Sequence, residues 1–289
     1  MWPLHILINK FLKTEDGKDS IEGKETCCSL VRTYPFKQPV ENQDVILPRS
    51  HFVDVPHVGQ LCSWDCGLAC IVMVLRTIGI DQCNIQALTE LCTTTSTWDG
   101  TTNPRNFSVS SLFVWTVDLA YLLQKYSVSF SFFTVTVGAN PDYSVETFYK
   151  EQLPNDQMRV DKLFQKAVES GIDIQCRSIS SEELSVLILS GNYVAIALVD
   201  QDKLSRSWMD DVCVSGLCSG NSGYTGHYVV ICGYDMEKDE FEIRDPASSR
   251  NCDRVSMECL EEARKSYGTD EDLLLISLEK REVGQKFSL

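Results

Sequence analysis

The hydrophobic pattern divides the chain unevenly. Residues 13–50 are polar and lack sustained periodicity, and TEDGKDSIEGKET reads as a flexible segment with too little apolar surface to order itself. Apolar patterning begins at FVDVPHV, Phe52 to Val58, a short extended piece whose Pro56 marks an edge or a loop entry. From Gly67 to Ile78 the apolar character is nearly continuous, and Gly79 follows. That predicts a buried helix closed by a C-terminal glycine. Asp81 to Cys92 and Val114 to Tyr126 carry helical spacing, and the polar, turn-rich Trp98 to Phe113 lies between them. Ser129 to Gly138 is aromatic and β-branched, hence a strand. YSVETFYKEQL and NDQMRVDKLFQKAVESG read as two helices, and DIQCRSI as a strand. Ser180, with Glu183 three residues on, has the capping-box pattern and opens the helix of EELSVLILSG. Tyr193 to Asp200 is a buried strand, and a long loop then runs to Gly226. GHYVVICGYDMEKDEFEIRDP has a hairpin pattern. A helix over Met257 to Tyr267 and a strand over Asp272 to Leu278 close the domain. Helices cluster early and strands late, which predicts an α+β domain over residues 51–280. A polar N-terminal segment, 1–50, and a tail, 281–289, flank it.

Charge narrows the partners. Lys plus Arg is 26 and Asp plus Glu is 41, a formal net charge of -15. An acidic chain without a basic block is a poor ligand for nucleic acid or an anionic membrane. To handle a polyphosphate it must bring in a metal ion or concentrate its few cations locally. The 13 cysteines are odd in number and scattered, with no CxxC, so the expected state is reduced thiol in the cytoplasm. No run approaches the roughly 20 apolar residues of a membrane span. The short apolar stretch from Trp2 to Ile8 is broken by Pro3 and His5 and lacks a small-residue cleavage site, so it reads as a docking strand or short helix.

The candidate chemistry starts at Asp65-Cys66-Gly67, which opens the buried helix. A thiol there faces the positive end of the helix dipole and unpaired backbone N–H groups, which favour thiolate and can hold an oxyanion. Gln60, six residues earlier, offers a side-chain amide as a second oxyanion donor. His227 is the only histidine in the C-terminal two-thirds and starts a hairpin strand. Folding the hairpin around Met236 and Glu237 sets His227 opposite Asp245, and a carboxylate there fixes the imidazole tautomer and raises its basicity. Nucleophile, base, orienter and oxyanion amide together form the Cys-His-Asp logic of thiol hydrolases. The glycine-rich loop before His227 could act as a lid.

Each residue alone has an ordinary structural reading. Cys62 and Cys70 read as packing or as oxidation-sensitive neighbours, Asp65 as an N-cap, Trp64 as core or rim packing, and Asp245 before Pro246 as a turn cap. Three cysteines without paired ligands make a weak zinc site, and a redox role would need CxxC. SYGTDED, Ser266 to Asp272, reads as a solvated acidic turn rather than a chelator. What lifts the triad is the agreement of order, spacing and hairpin register.

At these residues two resemblances emerge. Gln60-x5-Cys66 in DCGLAC, then GHYVVICGYD and a following DP, resemble the bacteriocin-processing, double-glycine peptidase family on the papain-like fold. That implies a helical half carrying Cys66, an antiparallel β half carrying His227 and Asp245, and Gln60 as the oxyanion residue. A resemblance covering most of the chain lies in VDVPHV, SWDCGLAC, WTVDLAYLLQK, GANPDYS, FYKEQLP, SGNYVAIALVDQDKL, TGHYVVICGYD and ARKSYGTDEDLLLI. These are similar to the plant soluble guanylyl cyclase family, whose core an animal guanylyl cyclase domain-containing protein shares. That resemblance implies conversion of GTP to cyclic GMP and diphosphate, with Mg²⁺ or Mn²⁺. The family's cyclase signature matches only partially at Arg32-Thr33-Tyr34-Pro35-Phe36 with Arg49 downstream, and no GxxxxGK[ST] loop is present. An extra piece, about Asp99 to Val114, separates Trp98 from Trp115.

The resemblance therefore assigns a guanylyl cyclase acting on GTP. The residues themselves argue for a thiol peptidase, amidase or acyl transferase acting on a peptide or acyl substrate without metal. A non-catalytic scaffold that retains the site is the third reading.

Overall fold

A computed structural model describes residues 47–96, 114–150, 153–206 and 224–279. The partial signature at Arg32 to Phe36, most of the 1–50 segment, the extra piece at 99–114 apart from Val114, and the 281–289 tail lie outside these residues.

The helices are α1 (Cys66–Thr77), α2 (Ile85–Ser96), α3 (Thr116–Lys125), α4 (Thr147–Lys150), α5 (Leu153–Ala167), α6 (Ser181–Leu189), α7 (Gln201–Arg206) and α8 (Met257–Arg264). The strands are β1 (Ser50–Phe52), β2 (Phe130–Thr134), β3 (Ile174–Cys176), β4 (Tyr193–Asp200), β5 (Gly226–Asp235), β6 (Glu240–Arg244), β7 (Asp253–Ser256) and β8 (Leu273–Ser277). They form one sheet in the order β3-β2-β8-β4-β5-β6-β7. Every pairing is antiparallel except β2 with β3. β4 runs along the first half of β5, and β1 pairs with its second half.

Both faces of the sheet are covered, which explains the unbroken apolar runs of its central strands. Along β4, Val194, Ile196 and Leu198 face the core shared with α1, α2, α3 and α5, while Ala195, Ala197 and Val199 face α6 and α8. The α+β class expected from the element order holds. The sequence reading of a helical half beside a β half omits the second helical layer, because α6 and α8 come late in the chain and close over the back of the sheet.

α1 forms where the apolar run predicts, and ten of its residues are buried. At its end Gly79 takes φ +89°. The Gly79 N–H donates to Arg76 O, and the Ile80 N–H donates to Leu75 O. This is a Schellman closure, which a side chain at Gly79 would strain. Ser180 caps α6 through an N–H of Glu183, but the Glu183 carboxylate pairs with Arg177 and does not reach back. Half of the predicted capping box therefore forms. The helix expected over YSVETFYKEQL is instead a 3-10 turn, Pro141–Val145, followed by the short α4. β7 and α7 were not legible. Both are short, and the α7 sequence runs straight on from a buried strand.

Candidate active site

The site forms where α1 meets β5. Cys66 is the first residue of α1 and is 4% exposed. Gly67 makes that approach possible: a Cβ there would come within 2.9 Å of Leu119 and 3.0 Å of Tyr228. Without a side chain at this position α1 lies close on β5, and Cys66 arrives beside the first residues of that strand. The first-turn N–H groups of α1 have no acceptor within the helix and face the same space.

His227, 3% exposed, lies between Asp245 and Cys66. Its Nε2 lies 2.7 Å from Asp245 Oδ1, which leaves Nδ1 for the Cys66 thiol, itself within hydrogen-bonding reach of the ring. Burial pushes the imidazolium pKa down. Hydrogen bonds with Asp245 and Cys66, and their charge, outweigh burial and raise it to about 9. Burial likewise pushes Asp245 up, but the His227 bond and charge and an N–H from Ala247 hold it below the usual carboxylate value.

The contact was legible, though the register was not. The hairpin pairs Val230 with Arg244 and shifts between Ile231 and Gly233, two residues from the expected alignment. Continued past β6, that register sets Asp245 opposite Val229, and its carboxylate reaches His227 diagonally across the ladder.

A strap missed by the sequence reading holds Asp245 in place. Arg244 Nε donates to Val55 O, His57 Nε2 lies 2.9 Å from Asp245 O, and Gln60 N–H donates to Pro246 O. His57 gives no sequence signal, because its partner is a backbone carbonyl 188 residues away. Gln60 lines the cavity with Cys66, as the oxyanion reading requires. One of its Nε2 hydrogens is given to Cys62 O, and its Oε1 is buried without a partner. Asp65 sits at the N-cap position but makes no side-chain cap bond. Its carboxylate accepts N–H bonds from Leu61 and Cys62 and so folds the loop before α1. Cys70 is buried packing, and burial raises its pKa. Cys62 is exposed, so the packing expectation for it is corrected.

The cavity holds about 300 Å³. Trp64 lines it, together with Trp115, Phe148 and Tyr149. So do Asp270 and Asp272, which corrects the reading of SYGTDED as a solvated turn: both are only 8% exposed. Arg49, the distal cation of the partial cyclase signature, is far away. Its carbonyl accepts the N–H of Met236 at the other end of β5, on the order of 30 Å from His227 at strand spacing. Its side chain pairs with Glu237 in solvent. Among the described residues no group of three or more His, Cys, Asp or Glu could hold a metal ion. A pair of carboxyls without a third ligand does not fit a resident divalent ion. No described helix is long and apolar enough to cross a membrane.

Comparison with known proteins gives the family. Residues 55–276 match the model described as guanylylate cyclase. The chain is 58% identical over 283 residues to Guanylyl cyclase 1 of Arabidopsis thaliana, covering 96% of this chain and 97% of that one. Among solved structures it resembles a C39-like peptidase of Bacillus anthracis (TM-score 0.43, 17% identity, 78% of this chain and 94% of that one). It also resembles Xylellain, a cysteine protease of Xylella fastidiosa (TM-score 0.40, 13% identity, 80% and 86%). The chain belongs to the guanylylate cyclase family.

Proposed function

We propose that the chain carries the reaction its family is named for, conversion of GTP to cyclic GMP and diphosphate. The observation behind this reading is the 58% identity that runs through 96% of the chain. In this reading Mg²⁺ or Mn²⁺ arrives as the counter-ion of the triphosphate, with the nucleotide, and the protein works in the cytoplasm.

A second reading rests on the site itself and is the one its geometry favours: thiol-nucleophile chemistry on a peptide or acyl substrate. Its carrying observation is the 2.7 Å contact of His227 with Asp245 beside the Cys66 thiol. Here His227 takes the thiol proton at Nδ1, and Asp245 holds the resulting imidazolium at Nε2. Cys66 attacks the acyl carbon, and the N–H groups opening α1, with the second Nε2 hydrogen of Gln60, receive the oxyanion. His227 then returns the proton to the leaving group.

One experiment separates the readings. Highly purified wild type and Cys66→Ala are assayed for GTP turnover with Mg²⁺ or Mn²⁺ and for labelling by a thiol-directed activity probe. Many turnovers of cyclic GMP that survive Cys66→Ala support the cyclase and place its site away from the triad. Background cyclic GMP with a single hyper-reactive thiol lost in the mutant supports the thiol enzyme. Neither activity leaves a scaffold and overturns both.

A further inference from the structure

The far wall of the Cys66 cavity carries two buried acids that the thiol chemistry does not use. Asp270 Oδ1 accepts the Tyr143 hydroxyl at 2.7 Å. Asp272 Oδ1 is buried without a hydrogen-bond partner, although Asp272 lines the cavity. No described Lys, Arg or His forms an ion pair with either. Asp270 and Glu271 both adopt left-handed backbone, φ +49° and +51°, so the fold carries strain where it turns these acids inward.

Burying one carboxyl without a counter-charge is costly, and burying two side by side is worse. Burial and the repulsion of Asp270 push Asp272 up against the opposing Thr116 and Thr134 hydroxyls, and burial pushes Asp270 up. The chain retains a cost that a cation would remove. The neighbouring walls suit an organic cation. Trp64, Trp115 and Phe148 line the cavity, and aromatic faces attract ammonium and guanidinium groups. A hard divalent ion would want more oxygen ligands than the pair supplies.

The position also suits a substrate subsite. Leu198 N–H donates to Asp272 O, and Leu198 pairs with Tyr228, the residue after His227. Asp272 is thus two strand spacings, about 10 Å, from Tyr228 along one row of the sheet, and the base is the next residue along β5. That is within reach of one long basic side chain.

We infer that Asp270 and Asp272 form a subsite for an organic cation, ammonium or guanidinium, carried by the substrate next to the group that Cys66 attacks. The inference rests on the thiol reading for its chemistry and on the cavity alone for its charge.

The test uses methanethiosulfonate reagents on the full chain. The thiolate attacks the sulfenyl sulfur, an S–S bond forms, and methanesulfinate leaves with the electron pair. Rates at Cys66 are read by peptide mass spectrometry and divided by those at exposed Cys62, which corrects for each reagent's intrinsic reactivity. The expected Cys66 preference for the aminoethyl over the neutral methyl reagent is about tenfold, from one charge near 10 Å. Asp272→Asn should abolish that preference without lowering the thermal midpoint. A charge-blind Cys66 overturns the inference. If Cys66 reacts with none of the reagents, the thiol reading fails and the subsite is judged by binding alone. Agmatine should then quench tryptophan fluorescence in wild type and not in Asp272→Asn. Equal or absent binding in the two proteins overturns the inference, as does Mn²⁺ taking the pair in place of agmatine.

Discussion

The two walls of one cavity bury acids on opposite terms. On the first, Asp245 has a histidine, a backbone N–H and a strap that fixes its carbonyl. On the second, Asp272 has an orphaned oxygen, and its nearest acid neighbour, Asp270, has a tyrosine but no cation. The first wall is complete in the protein alone, so its acid is held ionised. The second is complete only with something added, and burial raises the pKa of both its acids. In the thiol reading, the difference separates the part of the site that performs chemistry from the part that selects for whom it is performed.

The sharpest way to break the contrast is Asp245→Asn. It keeps shape and loses the charge that orients and stabilises the His227 imidazolium, so Cys66 labelling should fall on the order of 10²- to 10⁴-fold. A loss below threefold would detach Asp245 from the site.

The same pair should also appear in stability. His227 is raised from 6.5 to about 9, so its contribution is whole below pH 6.5 and lost as pH climbs through 9. Asp245 is lowered, so its contribution is present above its ordinary value and lost as pH falls through the depressed one. Wild type should therefore exceed Asp245→Asn by on the order of 3 kcal/mol near pH 6. The gap should close towards pH 9 and again in strong acid. A flat difference across that range in urea titrations would contradict the pairing.

Gly67→Ala tests how the walls are brought together. The added methyl meets Leu119 and Tyr228, so a cost of about 1–3 kcal/mol is expected, with Cys66 displaced from His227. Melting and labelling should fall together. A variant that melts like wild type would show that α1 has room to spare.

The smallest effect should carry the opposite sign. Asp272 is raised, so its burial costs stability as pH rises above the ordinary carboxylate value. Asp272→Asn should stabilise the free protein by on the order of 1 kcal/mol at neutral pH and by nothing near pH 3. Destabilisation at neutral pH would mean that the Thr116 and Thr134 hydroxyls beside the acid outweigh its burial.

This asymmetry also explains what could be read from sequence. Cys66 was legible because helix starts have local signatures, and His227 with Asp245 because a hairpin brings neighbours in sequence together. Even a register wrong by two residues and a bulge left their contact intact, since side chains reach diagonally. Asp270 and Asp272 were illegible because SYGTDED is polar in every local measure. Their burial comes from Tyr143 and Tyr149 in a 3-10 turn and a short helix, and from Tyr224 before β5. The Gly67 contact, His57 and the strap likewise depend on partners distant in sequence. The second helical layer was missed because chain order does not tell on which face a late helix lands.

α1 has a further consequence for the lifetime of the molecule. Its residues from Cys66 to Leu75 are all buried, and its end is locked by the turn at Gly79. Such a helix offers no cheap partial opening, so its amides should exchange with solvent only when the whole domain opens. The seat of the nucleophile beside β5 therefore lasts as long as the fold does, while its thiol stays open to reagents through the cavity.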